Sequence, residues 1–149
     1  MIKHIITHHP NYNLKSYKEY NDDVLIWEEN YDEDGNLHGR NNLYSENIVG
    51  GAKIIQAYYK HGLKHGMYQS WYDNGNKCME GLYLNGKSHG TFSIYGPKYL
   101  YQTTEYVHGV IHGKLISYYS DGTPDKKHIY ENGILITTIK YKYKTIKTL

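Results

Sequence analysis

The chain has 149 residues and a formal net charge of +2, with 19 Tyr, 2 Trp, 1 Phe and a single Cys. That near-neutral balance is no footprint of a nucleic-acid binder, one Cys excludes a disulfide framework or a cysteine zinc ribbon, and no apolar run nears the ~20 residues of a membrane helix. So many half-polar aromatic rings beside few aliphatic side chains suit a thin structure of half-buried residues rather than a deep core.

In chain order, residues 1–30 open with an apolar stretch too short for a signal peptide, which makes cytoplasmic, intracellular residence the expectation. Val24-Leu25-Ile26-Trp27 then points to an extra hairpin acting as a cap. From Tyr31 a pattern recurs: Tyr-x-x-Gly-x-x-His-Gly at Tyr59–Gly66, Tyr83–Gly90 and Tyr106–Gly113, with one extra residue at Tyr31–Gly39 and a truncated copy at Tyr130–Gly133. The pattern's glycines fall at 35, 62, 86, 109 and 133, and Asn74-Gly75 and Asp121-Gly122 lie between them. The residue before each of these seven glycines is Asn, Asp or His, the non-glycine types most tolerant of positive φ, as a two-residue type I′ hairpin turn requires at both positions.

Between turns, Met67–Tyr72, Thr91–Tyr95, Lys114–Tyr119 and Lys127–Tyr130 read as strands, and no segment carries a sustained 3.6-residue apolar period. The expected fold is all-β: an elongated, single-layer antiparallel meander of stacked hairpins over 31–136, closed by a capping edge strand at 137–149. Gly96-Pro97-Lys98-Tyr99 and Glu46-Asn47-Ile48-Val49-Gly50-Gly51 break the turn series and read as irregular loops on one margin of the sheet.

Gly81-Leu82-Tyr83-Leu84-Asn85-Gly86-Lys87-Ser88-His89-Gly90 resembles the MORN repeat, in the variant form with 23–24-residue spacing. The usual Tyr-x-Gly-x-Trp opening is missing, which favours the variant group found in bacterial antitoxin-like and large-virus proteins. The resemblance implies stacked hairpins in a twisted sheet and a scaffolding role without catalysis or cofactor. It further implies phospholipid binding in some members, and antitoxin-like neutralisation of a partner protein by analogy.

Five residues after each His-Gly stands an aromatic: Tyr44, Trp71, Tyr95 and Tyr118, the candidate protein-binding residues. The ladder Tyr59, Tyr83, Tyr106 and Tyr130 serves packing or recognition equally well. Lys140, Lys142, Lys144 and Lys147 face no acid in the last thirteen residues, whereas eight acids crowd 19–34. The lysines read first as protection of an edge strand, and alternatively as a contact to an anionic membrane surface or to the acidic end of another copy. His38, His65, His89 and His112 recur two strands apart, roughly 9–10 Å, too far to share a metal, and are read as orienting the turns through backbone hydrogen bonds. His4, His8 and His9 are candidates only for adventitious metal. Cys78 reads as an apolar filler, and no catalytic or cofactor-binding motif is present.

Overall fold

The computed structural model describes residues 1–45 and 52–142. These form twelve strands: β1 (Ile2–His8), β2 (Leu14–Asn21), β3 (Val24–Asn30), β4 (Gly39–Tyr44), β5 (Lys53–Lys60), β6 (Leu63–Trp71), β7 (Lys77–Leu84), β8 (Lys87–Tyr95), β9 (Leu100–Val107), β10 (Val110–Tyr118), β11 (Pro124–Glu131) and β12 (Ile134–Lys140). They pair antiparallel in chain order, giving one open meander sheet. Among the described residues there is no helix long and apolar enough to cross a membrane, and no large side chain is fully buried. The expected all-β, single-layer architecture is therefore what the chain adopts. Residues 1–30, expected to hold one extra hairpin, contribute three strands to the same sheet.

The turns come in two kinds. At His61-Gly62, Asn85-Gly86, His108-Gly109 and Asn132-Gly133 both residues have positive φ, as expected for type I′ turns. Asp34, Asn74 and Asp121 do not, which corrects the expectation for those three sites. There the chain makes a longer loop in which only the glycine is left-handed, as shown by Gly75 N–H bonding Tyr72 O at 2.8 Å and Tyr72 N–H bonding Asn76 O at 2.8 Å. Asn74 and Asp121 serve instead as acceptors, taking the N–H of Asn76 at 3.0 Å and of Thr123 at 2.9 Å. Asp22-Asp23 makes a further tight turn with no glycine, and Tyr12, at φ 68°, takes the place that Gly35, Gly75 and Gly122 hold elsewhere. The Gly96-Pro97-Lys98-Tyr99 connection lies on the same margin as Gly75 and Gly122, as expected; the other irregular stretch, residues 46–51, lies outside the described residues.

The repeating His-Gly has a backbone reason. Gly39, Gly66, Gly90 and Gly113 stand opposite Tyr59, Tyr83, Tyr106 and Tyr130 on the next strand pair. All four glycines are left-handed, with φ between 71° and 117°, a conformation that residues with a Cβ rarely adopt. Tyr83 meets Tyr68 and Phe92 edge-on at centroid distances of 5.9 and 5.3 Å, and Phe92 meets Tyr106 at 5.4 Å. Tyr83 and Tyr106 of the ladder thus belong, with Tyr68 and Phe92, to a ring network on one face, called face A, where such pairs each add about 0.5–1.5 kcal/mol beyond burial. Phe92 is buried because its ring lies over Gly81.

The opposite face, face B, carries a polar row. Registered pairs run from Lys18 through Glu28, Asn42, Gln56, Gln69, Glu80 and Ser93 to Thr103. Lys18 Nζ lies 3.2 Å from Glu28 Oε1, and Asn42 Nδ2 donates to Glu28 Oε2 at 2.5 Å. Farther along, Gln69 Nε2 donates to Glu80 Oε2 at 3.4 Å. The row is cohesive without being apolar.

Candidate functional site: the aromatic row and the histidine margin

Tyr44, Trp71, Tyr95 and Tyr118 share face B, where the strand alternation sets them opposite the ring network. Each sits at the same irregularity: Tyr44 pairs Lys53, Trp71 pairs Lys77, Tyr95 pairs Leu100 and Tyr118 pairs Pro124, with one extra residue bulged from the following strand. The bulged residues are Ile54, Cys78, Tyr101 and Asp125, so Cys78 is half-buried at a bulge rather than packed as a regular strand filler. Successive aromatics lie two strands apart, roughly 9–10 Å.

All four rings are half-buried, and cations flank three of them. Lys53 Nζ lies 5.9 Å from the Tyr44 ring centroid and 6.0 Å from that of Trp71, while Lys77 Nζ lies 5.7 Å from that of Tyr95. Glu80 anchors the middle of this row. It accepts from Lys77 Nζ at 2.6 Å and from Tyr95 OH at 2.6 Å. The lysine bond first, and the tyrosine bond second, hold the Glu80 carboxyl below its usual range, and the same carboxylate pushes the Tyr95 hydroxyl up. Burial raises Tyr44. From Tyr44 to Tyr95 the strip thus alternates aromatic rings with ammonium groups.

The lysine candidates separate. Lys140 ends β12 and Lys142 follows it, both exposed, whereas Lys144 and Lys147 lie outside the described residues. The edge strand begins at Ile134, earlier than expected, and its exposed surface is mainly apolar: Ile134, Leu135, Ile136 and Ile139. Among the described residues, Lys140 is the one lysine within that strand.

The histidines behave differently from a simple ladder. Each His of a His-Gly pair meets the residue before the turn glycine of the next hairpin. His65 Nδ1 lies 3.0 Å from Asn85 Oδ1, and His112 Nδ1 accepts the Asn132 N–H at 3.3 Å. His38 stacks edge-on with His61 at 5.4 Å, and His89 lies 5.2 Å from His108. Only His112 uses the expected backbone bond. His38 Nδ1 and His89 Nδ1 are shielded from solvent and make no hydrogen bond among the described residues. Equivalent histidines recur two strands apart, but each has this second partner, which comes from a different place in the repeat.

At the first His–His pair a carboxylate joins. Asp32 Oδ2 lies 2.8 Å from His61 Nδ1 and 3.9 Å from His38 Nδ1. Its Oδ1 accepts the N–H of Asn36 at 2.9 Å and of Asp34 at 3.1 Å. Burial alone would raise the Asp32 carboxyl, but the Asn36 and His61 hydrogen bonds outweigh it and hold the group below its ordinary value. Sequence reading missed this trio because Asp32 and His61 are 29 residues apart and occupy unrelated places in the repeat. The usable signal was the recurrent offset between each His-Gly and the following turn.

No protein-family model matches the chain, and neither does any curated protein.

Proposed function

We propose that this chain is a non-enzymatic, MORN-like scaffold that lays an extended segment of a partner protein across Tyr44, Trp71, Tyr95 and Tyr118. One observation carries the reading: these four rings recur at identical bulges on the face opposite the Tyr83–Phe92–Tyr106 network. The sheet therefore coheres through one set of aromatics and presents another. Large rings of low conformational freedom, next to desolvated polar groups, are where binding energy concentrates in protein interfaces. The bulges turn the local strand direction and aim the rings consistently along the row.

The test compares affinity capture from the native cell with wild-type, Trp71→Ala and Tyr118→Ala baits. Loss of a central anchor costs about 2 kcal/mol or more, roughly thirtyfold in affinity. Each variant is expected to lose the captured partner while retaining its circular dichroism spectrum, because neither ring belongs to the face A network. Undiminished capture by both variants would refute the assignment of this row.

A further inference from the structure

We infer that Asp32, His38 and His61 form a binding site for a divalent first-row transition metal, Zn²⁺ foremost. They are the only such trio among the described residues, with one donor atom from each lying within 4.8 Å of the others. Zinc takes imidazole nitrogen at about 2.0–2.1 Å and carboxylate oxygen at about 2.0–2.2 Å, so tetrahedral ligands stand roughly 3.3–3.5 Å apart. The Asp32–His61 separation of 2.8 Å and the Asp32–His38 separation of 3.9 Å bracket that value. Small side-chain rotations converge all three on one ion. His61 can make its share of that movement, since its side chain is 62% exposed.

Three features distinguish this trio from an ordinary surface ion pair. Asp32 is held by the bonds to its Oδ1, which leave Oδ2 directed at the imidazoles, the orienting role that outer-sphere partners play in metal sites. His38 Nδ1 is a shielded ring nitrogen without a hydrogen-bond partner among the described residues, a cost that a metal bond removes. The donor set of two imidazoles and one carboxylate leaves a coordination position for water or a ligand atom. The related His89–His108 pair recruits no third ligand among the described residues and serves as an internal control.

The site also stands at a mechanically distinctive place. β3 and β4 share only the pairs Trp27–Leu43 and Glu28–Asn42, besides a bridge between Tyr31 and Leu37. Asp32 and His38 belong to the β3–β4 connection, and His61 to the β5–β6 turn. A metal held by all three ties the shortest ladder of the sheet to its neighbouring hairpin.

The experiment titrates the full chain with Zn²⁺ by calorimetry and with Co²⁺ by visible absorption. It compares wild type, Asp32→Asn, His61→Asn and a His8→Gln/His9→Gln double variant. Asn is a safe replacement for His61 because Asn85 and Asn132 occupy the same turn position with the same positive φ. Wild type and the double variant are expected to bind one equivalent. Asp32→Asn and His61→Asn are expected to weaken it by at least the 10–100-fold that loss of even an outer-sphere partner costs. Zinc should slow amide hydrogen exchange in β3 and β4 of wild type but not of His61→Asn. Absence of saturable one-equivalent binding overturns the inference. Retention of full affinity in His61→Asn, or its loss in the His8/His9 variant, does so as well.

Discussion

Replacing Gly81 with Ala sets two physical effects in opposition. Gly81 has no positive φ, so its backbone is open to any residue. By strand propensity alone, removing an interior glycine stabilises by about 0.5–1 kcal/mol. The structure predicts the reverse, because an alanine Cβ falls inside the ring of Phe92. Phe92 is only 7% exposed and touches Tyr83 and Tyr106 edge-on. Displacing it forfeits two aromatic contacts of about 0.5–1.5 kcal/mol each and part of the ~1.5–3 kcal/mol that burying such a side chain supplies. After the glycine gain is subtracted, Gly81→Ala should cost about 2–4 kcal/mol. Equilibrium urea unfolding, followed by circular dichroism and tyrosine fluorescence, measures it. In a Phe92→Ala background the same substitution should become neutral or favourable, since the colliding ring is gone. A neutral or stabilising Gly81→Ala in the wild-type chain would refute the account of face A.

Two further outcomes follow from the turns and the titrating groups. At the left-handed position of Asn85 (φ 50°), glycine keeps the conformation and loses only the exposed bond to His65, whereas alanine should cost about 1–2 kcal/mol more than glycine. At Asn74, which is not left-handed, glycine should instead cost about 1 kcal/mol through loss of the bond to Asn76 N–H, as read from unfolding midpoints. Burial, helped by the Glu29 bond, pushes the Tyr31 hydroxyl up to about 12. Since the folded protein holds that proton more tightly, its contribution is complete below the unfolded value of 10.0 and is lost as pH climbs towards 12. Thermal midpoints should therefore fall across that window, and Tyr31→Phe should flatten the fall.

Much of this architecture is legible because its local signals agree with one another. The glycine beat, the Asn, Asp and His residues before it, and the period-two strands all specify hairpins, and a meander is what consecutive hairpins make. The placement of Tyr44, Trp71, Tyr95 and Tyr118 on one face follows from the same regularity. Legibility stops where one residue type does two jobs. Asn before glycine is a left-handed residue at 85 but a side-chain acceptor at 74. Gly35, counted in the beat with Gly62, belongs by conformation with Gly75 and Gly122. The Asp22-Asp23 turn and the left-handed Tyr12 contain no glycine to mark them. The Asp32–His38–His61 trio joins three different repeat positions, and a periodic search compares only like with like.

The uneven strength of the ladder determines how such a sheet can open. In an array whose units touch only their neighbours, stability is a sum of local terms, and the weakest junction yields first. The described residues place that junction between β3 and β4, where the Asn41 side chain takes the Asn30 N–H at 2.6 Å in place of a strand carbonyl. Glu28 and Asn42, both largely shielded from solvent, bond across it, so its cohesion is polar where that of the later repeats is aromatic. A shielded polar bond adds modest net free energy, whereas the ring contacts from Tyr68 to Tyr106 add aromatic packing that the β3–β4 junction lacks. Among the described residues β3–β4 is thus the junction with the fewest registered pairs, and by this reasoning the first to open. A ligand bridging Asp32, His38 and His61 acts at that junction.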